Sequence, residues 1–260
     1  MSETNPHAEH RARVKKRFFA EGIAGFEDHQ VLELLLFFAI PQKDTNPIAH
    51  ALLDRFGSLS GVFNAAPEEL SLVDGVGEHA AALLTLVPQL SRRYFLDSEA
   101  GGEAYDNVDK LGRMFVMQYV GATKEIVYLT MLDNKLRIIE TVKLYEGSVN
   151  SAYITPRKII EPCLRRNAAM AVLAHNHPSG AAVPSGDDLY TTKAIQSTLA
   201  AVGVPLLEHF LVAANTYTPL LYRTEGLVRQ ERPDSHFYSQ IDKSKFYSGI
   251  KDADLPRFEG

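Results

Sequence analysis

The sequence has one cysteine, Cys163, among 260 residues, so no disulfide can form within the chain. Cys163 falls in a stretch that reads as a helix, where a lone thiol is ordinarily a small buried apolar residue. No apolar run approaches the length of a membrane span. Glu3, His7 and Glu9 precede any apolar stretch, unlike a secretory leader. These absences predict a cytoplasmic protein with no membrane partner. A basic surplus is also missing: residues 1–100 hold 9 Lys and Arg against 14 Asp and Glu, residues 101–230 hold 13 against 12, and residues 231–260 hold 5 against 6. Proteins that hold DNA by neutralising phosphates over a broad surface carry such a surplus. What is present is ordinary for a globular chain, 45% hydrophobic and 23% charged, and enough to bury one large or two modest cores.

The chain is organised around Ala169 to Gly180, AMAVLAHNHPSG, followed by Ala181 to Asp188, AAVPSGDD. A short apolar run ends in two histidines, and Pro178-Ser179-Gly180 stops any regular element, which favours a buried strand over a helix. Residues i and i+2 of a strand share a face, so His175 and His177 can bring two imidazoles to one point. Two prolines and two glycines lie between His177 and Asp188, enough to fold the chain back. Ser185-Gly186-Asp187-Asp188 ahead of Leu189–Leu199 reads as a helix start, with Ser185 as N-cap and Asp188 at the third helical position. Two imidazole nitrogens and one carboxylate, with a fourth tetrahedral place for water, make the donor set of a catalytic zinc site. Two readings stay open at this point, because His-x-His pairs also arise by chance and Asp188 alone reads equally as a cap carboxylate.

The full string His-Asn-His-Pro-Ser-Gly, three residues, Pro-Ser, two residues, Asp resembles the JAMM (MPN+) metalloprotease motif in the form carried by the RadC family. Members of that bacterial family are often labelled DNA-repair proteins. The resemblance runs from about Arg11 to about Leu227. It implies one Zn2+ per chain held by His175, His177 and Asp188, with a protein or peptide as substrate. It further implies that Glu125, which matches the family's upstream glutamate at a strand start, is general base and acid. Ser185 matches the serine that donates to the oxyanion in JAMM enzymes. Each has a plainer reading: Glu125 as a strand-opening carboxylate, Ser185 as the N-cap alone. The chain departs from the family pattern at Lys158, where Pro-Arg-Glu is usual, and at Glu208-His209, where Asp-His is usual. Asn167-Ala168 matches. His209 reads either as a group behind the ligands or near substrate, or as an ordinary strand histidine.

Residues 1–100 are expected to form an all-α domain. Arg11–Arg17 is a basic cluster, Asp28–Ala39 a buried helix ended by Pro41, Asn46–Phe56 a helix stopped by Gly57, and Pro67–Leu72 a short third one. Gly75-Val76-Gly77 between helices resembles a helix-hairpin-helix, whose glycines let backbone amides approach a DNA phosphate. Against that, Asp74 and Glu78 flank the turn and would repel a phosphate, leaving a plain tight turn as the other reading. Ser98–Asp106 reads as a linker.

Residues 105–228 are expected to form the metal-site domain. A helix over Asp109–Tyr119 precedes a hairpin of Lys124–Asp133 with Leu136–Leu144, a strand Gly147–Ile154, a helix from Thr155–Pro156 through Asn167, the histidine strand, the Ser185 helix to about Val202, and a strand Leu206–Val212. This mixture indicates an α/β sandwich with a mixed sheet. The resemblance implies the MPN or cytidine-deaminase-like three-layer form. Residues 229–260 form a polar tail beyond the resemblance, with near-repeats Phe237-Tyr238-Ser239 and Phe246-Tyr247-Ser248. They read either as docking motifs for a partner or a second subunit, or as an arm packed on its own domain.

Three functions follow. One is a zinc hydrolase of peptide or isopeptide bonds. The second is a DNA-repair or strand-handling protein in which Gly75 and Gly77 carry the function and the metal is structural or acts on phosphodiesters. The third is a scaffold that keeps a metal without catalysis.

Overall fold

The computed structural model describes residues 6–99, 102, 104–147, 154–178, 180, 182–225 and 246–248. The chain divides into two compact units at Ser91/Arg92. The first is helical: α1 (Pro6–Glu21), α2 (Asp28–Leu36), α3 (Asn46–Phe56), α4 (Leu59–Asn64), α5 (Pro67–Leu70) and the start of α6 (Glu78–Glu99). α3 begins with Pro47 in its first turn and ends at Gly57 in the left-handed region, as its sequence punctuation requires. Leu32, Leu36, Leu52, Leu70 and Leu84 are fully buried in one core, each stabilising the unit by roughly 1.5–3 kcal/mol. The basic cluster is largely engaged: Arg11 donates to the carbonyls of Phe37, Ile40 and Lys43, and Arg17 to that of Gly25. These contacts satisfy backbone carbonyls in the segments that flank α2.

The second unit holds α7 (Val108–Gln118), β1 (Glu125–Leu132), β2 (Ile138–Gly147), α8 (Pro156–Arg165), β3 (Met170–Asn176), α9 (Gly186–Ala200), β4 (Leu206–Ala213), β5 (Thr216–Pro219) and α10 (Leu220–Glu225). The sheet order is β2-β1-β3-β4-β5, antiparallel except for the β3–β4 pair. This is the mixed α/β class the sequence indicates. The strand expected over Gly147–Ile154 falls mostly outside the described residues.

Side-chain alternation sorts the buried strands onto two faces. Tyr128, Leu132, Val172, Ala174 and Phe210 pack with Val108, Leu111 and Phe115 of α7. Val127, Leu129, Met131, Ala171 and Leu173 pack with Ile159 and Cys163 of α8 and Ile195 and Leu199 of α9. The central sheet therefore has helices on both faces. His175 continues the Ala171–Leu173 series, on the side of α9. Gly112 on α7 admits the Tyr217 ring, which would lie 2.4 Å from any Cβ there, while the Tyr217 hydroxyl donates to Asp109. Cys163 is fully buried, and burial pushes its thiol up to about 11, in keeping with an inert core residue. Phe246 is buried in the α7-side core. The first near-repeat, Phe237-Tyr238-Ser239, lies outside the described residues.

Candidate metal centre

β3 delivers His175 as its penultimate residue, and His177 follows one residue beyond the strand, its backbone N–H donating to Val212 O at 2.8 Å. The turn that follows returns the chain to α9. There Ser185 caps the helix: its Oγ accepts from Asp188 N at 3.1 Å, while its N–H and its hydroxyl both donate to Asp188 Oδ2 at 2.7 Å. This reciprocal capping fixes the carboxylate as well as the helix start. His175, His177 and Asp188 each offer a donor atom, all within 4.8 Å of one another.

The spacings match a tetrahedral ion. His175 Nε2 stands 3.2 Å from Asp188 Oδ1, and His177 Nε2 3.7 Å from Asp188 Oδ2. Two ligands bound at about 2.0–2.1 Å would stand about 3.3 Å apart. His175 Nε2 is buried and has no hydrogen-bond partner among the described residues, and the same is true of Glu125 Oε2. Orphaned buried polar atoms are rare and costly. A cation at the cluster accounts for the orphaned His175 nitrogen, so the residues present fit a divalent metal.

Burial opposes ionisation of Asp188. The facing His175 ring, together with the Ser185 N–H and hydroxyl, outweighs that and holds the carboxyl well below the usual range.

Glu125, the first residue of β1, lines a small cavity of about 30 Å³ with Tyr145, His175, Asp188, Thr191 and His209. Its strand start is clamped by Asn176, whose Oδ1 accepts from Ile126 N at 2.7 Å and whose Nδ2 donates to Lys124 O at 3.0 Å. As the middle residue of His-Asn-His, Asn176 points to the face opposite the two rings. Its polarity at the end of an apolar strand was the available signal, and the sequence reading passed over it.

His209 on β4 is almost fully buried, with Nε2 2.8 Å from His175 Nδ1 and Nδ1 2.6 Å from Thr192 Oγ1. Burial, reinforced by the His175 ring, pushes its pKa well below the usual value, which favours the neutral imidazole. Of the two readings offered for His209, the structure shows a direct contact behind a cluster residue. Thr192 was missed altogether.

Gly75 and Gly77 lie in the first unit, in the turn before α6, and are not part of this cluster. Gly75 has φ +85°, and a Cβ there would meet Ile48 at 2.7 Å, so turn and packing both require glycine.

No described helix is long and apolar enough to cross a membrane. A RadC-like JAB domain profile matches residues 105–227. A UPF0758 protein of Fusobacterium nucleatum is 34% identical over 236 residues, spanning 88% of this chain and all of the relative. One from Methylibium petroleiphilum is 35% identical over 201 residues, 77% of this chain and 90% of the relative, and one from a Polaromonas species is 34% identical over 203, 78% and 91%. The agreement extends from the profile to most of the chain, and the chain belongs to the RadC (UPF0758) family, with a RadC-like JAB domain in its second unit.

Proposed function

We propose that the protein is a zinc-dependent hydrolase of peptide or isopeptide bonds. The observation that carries this reading is the convergence of His175, His177 and Asp188 beside a cavity into which Glu125 presents a buried carboxylate oxygen with no partner among the described residues. His175, His177 and Asp188 would hold the ion, and a bound ion supplies Lewis acidity toward a carbonyl and toward water. Glu125 would take a proton from the attacking water and return it to the leaving amine, which balances the hydrolysis. Ser185 holds Asp188 by its hydroxyl proton. When a carbonyl oxygen arrives, that proton can turn to it while the Ser185 N–H keeps its hold on Asp188. Nitrogen and oxygen donors with no thiolate favour zinc in an open, catalytic site over a structural one.

The DNA reading draws no support from the hairpin, whose one left-handed glycine is accounted for by its own turn and by Ile48. Metal analysis of purified protein, with and without His177→Ala, tests the centre: about one zinc per chain is expected in the parent and almost none in the variant. Glu125→Ala should abolish cleavage of amide substrates while leaving metal content and any DNA affinity unchanged. Retained cleavage would remove Glu125 from the reaction. A parent free of metal after expression in zinc-supplemented medium would remove the hydrolase reading.

A further inference from the structure

Behind the cluster, the hydrogen atoms can be counted. Thr192 Oγ1 lies 2.6 Å from the backbone carbonyl of Asp188, and a carbonyl has no proton to give, so the hydroxyl donates its only one there. The same oxygen is 2.6 Å from Nδ1 of His209, and it can only accept, so the hydrogen is on Nδ1. A neutral imidazole carries one N–H, which leaves Nε2 of His209 as an acceptor. Its neighbour at 2.8 Å is Nδ1 of His175, which must therefore donate. In the neutral ring, His175 is then the Nδ1–H tautomer, and its lone pair is at Nε2. That is the atom facing Asp188, and it makes no hydrogen bond among the described residues. Thr192, His209 and His175 are 1%, 3% and 3% exposed, so bulk water does not compete for these bonds.

We infer that Thr192 and His209 are positioning residues, forming a fixed relay that sets the tautomer and orientation of His175 and turns its Nε2 lone pair toward the site before any ion arrives. The purpose of the relay rests on the metal reading above; its hydrogen count does not. The relay starts on the helical turn that supplies Asp188, crosses to β4 and returns to β3, so one chain of bonds ties two ligands from different elements into one geometry. Running it backwards would take the Thr192 hydroxyl proton from the Asp188 carbonyl and hand it to His209. Partners of this kind behind a metal-bound histidine typically change metal affinity by about 10–100-fold.

Two measurements test the inference. Long-range nitrogen–proton NMR of the metal-free protein at about pH 8, above the ordinary imidazole range, should show Nδ1–H for both His175 and His209. Nε2–H at His175 overturns the relay. Zn2+ affinity, read by competition with a chelator, should fall about 10–100-fold in Thr192→Val and stay within a few-fold of the parent in Thr192→Ser. The melting temperature of each metal-free variant separates this loss from unfolding. Equal affinities in Thr192→Val and the parent, or a Thr192→Ser as weak as Thr192→Val, overturn the relay while leaving the hydrolase reading intact. A parent that binds no Zn2+ sinks the hydrolase reading instead, and the relay is then decided by the tautomers, which need no variant.

Discussion

At the scale of single residues, the centre depends on side chains that hold other side chains. Asn176 is the clearest case, because its amide grips the backbone on both sides of Glu125, at Lys124 O and Ile126 N. Alanine there leaves a buried N–H without its acceptor, a cost of about 1–3 kcal/mol, and frees the strand start from which Glu125 projects. Misplacing a reacting group by about 1 Å can cost about 100-fold in rate. Asn176→Ala should therefore lower turnover about 10–100-fold while the protein retains its metal, as elemental analysis of the same preparation would show. Loss of metal in step with activity would mean that Asn176 supports the histidines rather than Glu125. Ser185 offers a complementary test. As a cap alone it is worth about 1 kcal/mol, but its hydroxyl also donates to Asp188 Oδ2 at 2.7 Å. Ser185→Ala should lower turnover by more than it lowers thermal stability, and the reverse pattern in paired assays of rate and melting would reduce Ser185 to its cap.

At the scale of elements, β4 carries Glu208 beside His209, and the two face different work. The Glu208 carboxylate accepts from the N–H groups of His209 and Leu221, each at 2.7 Å, from that of Tyr222 at 3.1 Å and from the Tyr247 hydroxyl at 3.0 Å. It thus pins the start of α10 and one tail tyrosine to the sheet. Burial, only partly offset by these donors, raises its pKa from 4.5 to about 7. A carboxyl whose pKa is raised by folding keeps its proton in the native state where the unfolded chain has lost it. Its contribution is therefore fully present below about 4.5 and declines as pH rises to about 7, by roughly 3 kcal/mol in all. Denaturant titrations across that interval should show this decline in the parent and a flatter profile in Glu208→Gln. The variant should also start from a lower stability, because an amide nitrogen set against these donors leaves some of them unpaired.

Legibility follows the same division between local and distant. α3, β1, β3 and α9 are written in nearby residues: Pro47 and Gly57, a β-branched run, an i, i+2 histidine pair and a Ser185–Asp188 capping box. β5 spans only Thr216–Pro219, too short for a periodic signal, and α4 is six residues long. Asn176, His209 and Thr192 act on partners 50, 34 and 17 residues away, and only the register of folded strands brings these together.

At the scale of the whole molecule, the apolar clusters separate cleanly. One core is made entirely of residues before Ser91, and the two that flank the sheet are made entirely of residues after it. The candidate ligands all belong to the second unit, His175 on β3, His177 just beyond it and Asp188 on α9. An ion that binds the native cluster and not the unfolded chain stabilises only the unit whose folding builds that cluster, by about 2.7 kcal/mol when free metal is 100-fold above its dissociation constant. For a unit of this size that corresponds to about 5–10 °C. Calorimetry of the full chain should therefore show one transition that falls by this amount on addition of a chelator and recovers with excess Zn2+, and another that stays where it was. A chelator that moved both transitions equally would show that the two cores melt as one cooperative unit. One that moved neither would leave the cluster with no metal to explain its orphaned nitrogen.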